Sequence, residues 1–224
     1  MMLVGCGEEE TTVNIETESP EIKIEEPITG ADIEQEFEDD EGGMFYLKSG
    51  EVKWTGSKLT SSHWGTIDLV SAVAEINDTL DKGTFVLDMN SIKSGDLEGP
   101  GAEGLINHLK SEDFFDVANH GTAILEVKGA EKKDGEDRYE MTANLTIKGI
   151  TNEILFDAVV KANEEGDIVS ESDITIDRTK WDIRYGSGKF FEDIGDKLIK
   201  DEVSFEVSVV LTGAAIEEES EDDN

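Results

Sequence analysis

A single cysteine, Cys6, in 224 residues leaves no pair for an internal disulfide. Positive charge is scarce: 19 Lys plus Arg stand against 54 Asp plus Glu, for a formal charge of −35. A phosphate backbone is held by cations that displace its counterions, so nucleic acid is an unsuitable partner, and anionic bilayers are disfavoured for the same reason. The three histidines, His63, His108 and His120, are not spaced as metal ligands. No run of 18 apolar residues exists to cross a membrane as a helix. Enzyme signatures are also missing. Gly186-Ser187-Gly188-Lys189 lacks the upstream glycine of a phosphate loop and has Phe190 where the metal-binding hydroxyl belongs. No nucleophile elbow marks an activated serine.

What is present is unevenly spread. Residues 7–41 hold fifteen acidic residues and one base, Lys23, and residues 217–224 add six acids. Val13, Ile15, Ile22, Ile24 and Ile28 are too few to bury one another at that charge density, so both ends read as disordered acidic tails. Patterned apolar residues occupy the middle, enough for one sizeable core. The expected division is 1–6, 7–42, a folded domain over 43–213, and a tail over 214–224.

Leu3-Val4-Gly5-Cys6 resembles a bacterial lipobox, whose cysteine becomes acylated. Only five residues precede Cys6, fewer than the n-region and h-region of a secretory signal need, so the stretch reads as the remnant of one. The expectation is a lipoprotein tethered through Cys6 in the periplasm or at the cell surface.

In the central region the recurring period is two. Phe85, Leu87 and Met89 alternate with Val86 and Asp88, and Met141, Ala143, Leu145 and Ile147 alternate with polar neighbours. The same holds for Ile154, Phe156, Ala158 and Val160, for residues 168–176, and for Val203, Phe205, Val207, Val209 and Leu211. With residues 45–54, 66–76 and 123–127, about eight antiparallel strands follow. Asp81-Lys82-Gly83, Asp134-Gly135-Glu136, Lys148-Gly149-Ile150 and Glu164-Glu165-Gly166-Asp167 read as turns. Residues 104–110 place Leu105, Ile106 and Leu109 on one side of a short helix, with Ser111 able to cap a further turn. Such a series of strands makes a sandwich or a barrel, and composition does not choose.

Six ordered blocks do carry a resemblance: Trp54-Thr55-Gly56-Ser57-Lys58 with His63-Trp64-Gly65-Thr66; Gly83-Thr84-Phe85-Val86-Leu87-Asp88-Met89 with Ile92; His108-Leu109-Lys110-Ser111-Glu112-Asp113-Phe114-Phe115-Asp116; Leu145-Thr146-Ile147-Lys148-Gly149-Ile150-Thr151; Asp177-Arg178-Thr179-Lys180-Trp181; and Gly195-Asp196. Over roughly residues 43–212 the chain resembles the YceI-like family of secreted polyisoprenoid-binding proteins. Asn152-Glu153 and Asn119-His120-Gly121 depart from the family's usual residues, both in expected turns.

The resemblance implies an all-β, eight-stranded antiparallel, lipocalin-like barrel, on which the short helix over residues 104–110 reads as a lid or plug. It further implies an interior that holds a prenyl chain, either a polyisoprenoid or a quinone tail, and a possible homodimer. An eight-stranded barrel is just wide enough to fill itself or to admit one slim ligand. Ala143, Ala158, Ser170 and Ser172 would leave room beside bulkier inward residues. Lipid contacts, inward or at the mouth, are expected from Phe85, Leu87, Met89, Leu105, Leu109, Phe114, Phe115, Met141, Leu145, Trp181, Phe190, Phe191, Phe205 and Val207. Trp54 and Trp64 read as core or rim residues.

His63 and Arg178 are head-group candidates, although Arg178 has an alternative as an ion-pair partner of Asp177 or Asp182. With cations outnumbered, a neutral head group suits better than a pyrophosphate, unless Arg178 with Arg184 or Lys189 holds an anion. No cofactor, metal or catalytic residue is expected. The alternative function is a filled-barrel interaction module whose acidic tail and loops engage a protein partner or divalent cations.

Overall fold

The computed structural model describes residues 43–77, 80–192 and 195–213. Cys6, the acidic tails and their expected roles lie outside those residues. Eight strands follow in order: β1 (Gly43–Lys58), β2 (Ser62–Ile76), β3 (Leu80–Ser94), β4 (Thr122–Lys132), β5 (Arg138–Ile147), β6 (Ile150–Ala162), β7 (Ile168–Asp177) and β8 (Ile199–Gly213). Each pairs antiparallel with the next, and β8 returns to β1, closing the barrel. The expected all-β barrel with one helix is therefore the observed fold.

Alternation sets which side chains point inward. Along β5, Met141, Ala143, Leu145 and Ile147 are buried while the intervening Thr142, Asn144 and Thr146 are half-buried. Closure aims the first set at the axis, where it meets the corresponding sets from the other strands. Lys148 and Gly149, at φ 55° and 71°, make the two-residue link between the paired Ile147 and Ile150. That is the left-handed geometry of a tight hairpin, for which glycine at the second position is suited.

Four expectations need correction. Asp81-Lys82-Gly83 is part of β3 rather than a turn. Strand pairing of Gly83 with Ala74 and Val127 overrides its turn chemistry. Asn152 and Glu153 lie inside β6, where the Asn152 side-chain amide donates to the Lys180 carbonyl at 3.1 Å. The helix, α1 (Gly99–Lys110), starts earlier than residue 104, because Pro100 in its first turn has the φ a helix start requires. A further turn does start at Ser111, whose carbonyl accepts from the amides of Phe114 at 3.0 Å and Asp116 at 2.8 Å. Its side chain does not cap that turn, because its hydroxyl, like its amide, donates back to the His108 carbonyl.

Closure is uneven. β6 and β7 pair only from Ala158 with Ser172 to Ala162 with Ile168. Beyond that stretch the two strands diverge. The 3-10 turn Arg178–Trp181 fills the wider end, with Trp181 fully buried and its indole nitrogen donating to the Leu145 carbonyl at 3.0 Å.

Candidate functional site

Three small apolar voids lie in series inside the barrel. The first, about 50 Å³, sits under α1 between Trp54, Ile92, Leu109, Phe114, Phe115 and Phe205. A second, about 70 Å³, shares Ile67, Phe115 and Phe205 with it and reaches Leu87, Met89 and Leu145. The third, about 60 Å³, shares Val52, Leu87, Leu125 and Ile174 with the second and extends to Phe85, Met141, Ser170 and Ser172. No charged residue lines any of them.

The space is narrower than the open axis expected from the alternation. A pocket for a drug-sized ligand spans at least roughly 300 Å³, so a guest chain has to displace the side chains between the voids. Several are placed to do so. Leu87, Leu125, Ile154, Phe156 and Phe205 face the cores but remain half-buried. Met89 and Met141 are buried and unbranched, and adapt at small cost.

Of the expected lipid contacts, Phe85, Leu87, Met89, Leu109, Phe114, Phe115, Met141, Leu145, Phe205 and Val207 line these voids. Leu105 packs on the core beside them from α1. Trp181 lines none of them and closes the barrel wall, for it follows β7 in a turn that folds back over β6. Phe190 and Phe191 are exposed in the loop before β8, where Phe190 stacks under the Arg184 guanidinium at 4.9 Å. Sequence reasoning left out Val52, Ile67, Leu125, Ile154 and Ile174 as lining residues; the period-two alternation that marked their neighbours was the available signal.

The head-group candidates are engaged otherwise. Arg178 is almost wholly buried, and its guanidinium donates to the carbonyls of Ile183 at 2.6 Å, Ile199 at 3.1 Å and Lys200 at 3.1 Å. Desolvation lowers its pKa, against the opposing pull of Asp201 and Asp177. Its nearest carboxylate is Asp201, at 3.6 Å, rather than Asp177 or Asp182. Asp177 caps the 3-10 turn and pairs with Lys189 at 2.6 Å, and Asp182 pairs with Arg184 at 2.5 Å. The three cations that could have held an anion already face carboxylates.

His63 Nδ1 lies 2.8 Å from Asp96 Oδ2 at the start of β2. Burial pushes the Asp96 pKa up, but His63, the Trp64 amide and Ser94 outweigh it and leave the carboxyl below its ordinary value. His63 lines none of the voids. Among the described residues, no three His, Cys, Asp or Glu gather as a metal site.

A larger concavity lies elsewhere: an open outer groove of about 730 Å³ across β5 to β8 and the neighbouring part of β1. Its lysines are mostly neutralised, Lys53 by Glu206 at 2.9 Å and Lys133 by Glu140 and Asp157 at 2.6 and 3.2 Å. Acids outnumber bases on its walls, which disfavours an anionic ligand there.

Comparison with known proteins places this architecture. A UPF0312 protein of Pectobacterium atrosepticum is 28% identical over 129 residues, 58% of this chain and 63% of that protein. The YceI protein of Salmonella arizonae is 25% identical over 130 residues, 58% and 64% of the two chains. The chain thus spans less than two thirds of the length of these curated relatives. The crystal structure of Burkholderia cenocepacia BcnA superposes with a TM-score of 0.60 at 19% identity, over 73% of this chain and 96% of that one. A polyisoprenoid binding domain from Saccharophagus degradans gives 0.58 at 14%, over 77% and 99%. At these identities the structural likeness speaks to the fold. The family description of the YceI-like domain matches residues 47–211, from β1 to the end of the barrel, and the chain belongs to that family.

Proposed function

We propose that this protein is a non-enzymatic carrier or store for one neutral prenyl lipid, a polyisoprenoid or a quinone-type molecule, whose chain threads the barrel axis. The observation that carries the reading is the series of three uncharged voids sharing walls down the axis. The polyisoprenoid binding domain of Saccharophagus degradans supports it as a relative in fold. Burying methylene groups contributes about 0.8 kcal/mol each, so a five-carbon isoprene unit supplies roughly 3 to 4 kcal/mol before association costs. Three or four units reach micromolar affinity, near −8 kcal/mol, and no charged clamp is needed.

The same proposal has Cys6 acylated, so that the acidic segment over residues 7–42 acts as a leash between a membrane and the barrel, in the periplasm or at the cell surface. Metabolic labelling with a fatty-acid probe tests this: label on the wild type and none on Cys6→Ala is expected, and equal label on both removes the tether.

A second reading draws on the small size of the voids: a closed barrel that acts as an interaction module through its loops and acidic tail. Native mass spectrometry with solvent extraction of the purified protein separates the two. A stoichiometric isoprenoid supports the carrier. A lipid-free protein that takes up none when offered supports the module.

A further inference from the structure

We propose that the Trp54 indole N–H is the internal donor that selects prenyl lipids bearing a carbonyl oxygen, such as a prenylated quinone, over pure hydrocarbon chains, and that it fixes the oxygenated end beneath α1. The inference rests on the lipid-binding reading and names the head-group chemistry within it.

Among the described residues, four buried side-chain polar atoms lack a hydrogen-bond partner: Trp54 Nε1, Glu75 Oε2, His108 Nε2 and Asp201 Oδ1. Two face a cation, with Lys82 3.9 Å from Glu75 Oε2 and Arg178 3.6 Å from Asp201 Oδ1. The third, His108 Nε2, belongs to a ring set edge-on between Phe114 and Tyr185, and a neutral imidazole can present that nitrogen without a proton. Trp54 has no such escape, because an indole nitrogen is a donor only. The other two tryptophans are provided for: Trp181 donates to Leu145, and Trp64 is 40% exposed to water.

Leaving a buried donor unmade costs about 1 to 3 kcal/mol. A phenylalanine at this position would fill the same apolar surroundings without that cost. Water is a poor partner here, since a buried water needs two to four polar neighbours and the adjoining void is walled by Ile67, Ile92, Leu109, Phe114 and Phe115. A guest whose carbonyl oxygen sits in that void would supply the acceptor.

Place on the axis agrees with this. Trp54 is 93% buried, since its exposure is 7%, and it lines the void nearest α1. An oxygen there leaves the rest of the chain to run past Phe205 and Leu87 toward Phe85 and Met141, through walls that carry no charge. Gly65, the β2 partner of Trp54, leaves room for this pose, since a Cβ there would come within 2.8 Å of the indole ring.

The test compares a short-chain prenylated benzoquinone with squalene, on the wild type and on Trp54→Phe. The quinone is expected to weaken on the order of tenfold and squalene by less than about twofold. Equal losses for the two probes, or none, would overturn the assignment. In ¹⁵N–¹H spectra of the wild type, the Trp54 indole proton is expected to move downfield with the quinone and to stay with squalene. That reading holds even if Trp54→Phe fails to fold, and an unmoved proton in the quinone-bound protein refutes the donor role. Failure of the wild type to bind either probe instead removes the lipid-binding reading itself.

Discussion

Ala158 and Ser172 form the last paired position between β6 and β7, and past them the two strands part, with the Arg178–Trp181 turn filling the gap. β6 continues back to Ile150 and β7 on to Asp177, each paired on its other side only, with β5 and β8. Unpaired backbone on a strand edge is open to solvent exchange. Amides on the open side of residues 153–157 and 173–176 are expected to exchange at least about tenfold faster than those of β8 over residues 203–211. Hydrogen exchange read by NMR checks this, and uniform protection along both strands contradicts the uneven closure.

Arg178 serves the fold through its three carbonyl contacts. Replacing it by Met leaves the carbonyls of Ile183, Ile199 and Lys200 without their donor in a buried place. The expected loss is several kcal/mol, on the order of 3, read as a lower urea midpoint. Lipid preference between a neutral quinone and a prenyl pyrophosphate should not change. A folded variant of unaltered stability that loses its ligand would give Arg178 back its head-group role.

The hairpin between β5 and β6 depends on Gly149 at φ 71°, where a Cβ would stand 3.1 Å from the His120 ring. Gly149→Ala is expected to destabilise by about 1 kcal/mol or more. Chemical denaturation measures it, and an unchanged midpoint would mean the link adopts another geometry.

Acid should weaken the closure near the β6–β7 turn. The Lys48 ammonium, with Thr212 and Asn163, holds the Asp167 carboxyl below its ordinary range, and Lys48 lies 2.6 Å from it. A lowered carboxylate pKa contributes stability that is complete above the unfolded value, about 3.9, and is lost as pH falls through the folded value. Wild-type urea midpoints are expected to drop from about pH 4 downward. The Asp167→Asn variant should show a shallower drop, and equal acid limbs for the two proteins would remove this pair from the account.

Much of the barrel was legible in the chain, and the reasons are local. Met141, Ala143, Leu145 and Ile147 declare their face by alternation alone, and Lys148-Gly149 declares its turn. Asp81-Lys82-Gly83 misleads, because cross-strand partners distant in sequence decide whether a glycine bends or pairs. Phe190-Phe191 and Trp181 mislead for a related reason: only the closed barrel determines which aromatics meet the axis, which seal the wall and which remain outside. The width of the axis was not legible at all. It depends on how Leu87, Leu125, Phe115 and Phe205 interlock from four different elements, a sum over cross-barrel neighbours that no single strand contains.

The central claim is that the voids around Leu125 give way to a hydrocarbon chain. Titration of the wild type and of Leu125→Trp with a prenylated benzoquinone, followed by native mass spectrometry, tests it most directly. One lipid per wild-type chain is expected, with a dissociation constant of micromolar order, and binding at least about tenfold weaker in a folded Leu125→Trp, whose indole occupies the two voids that Leu125 joins. Undiminished binding by the filled variant, or none by the wild type, would contradict it.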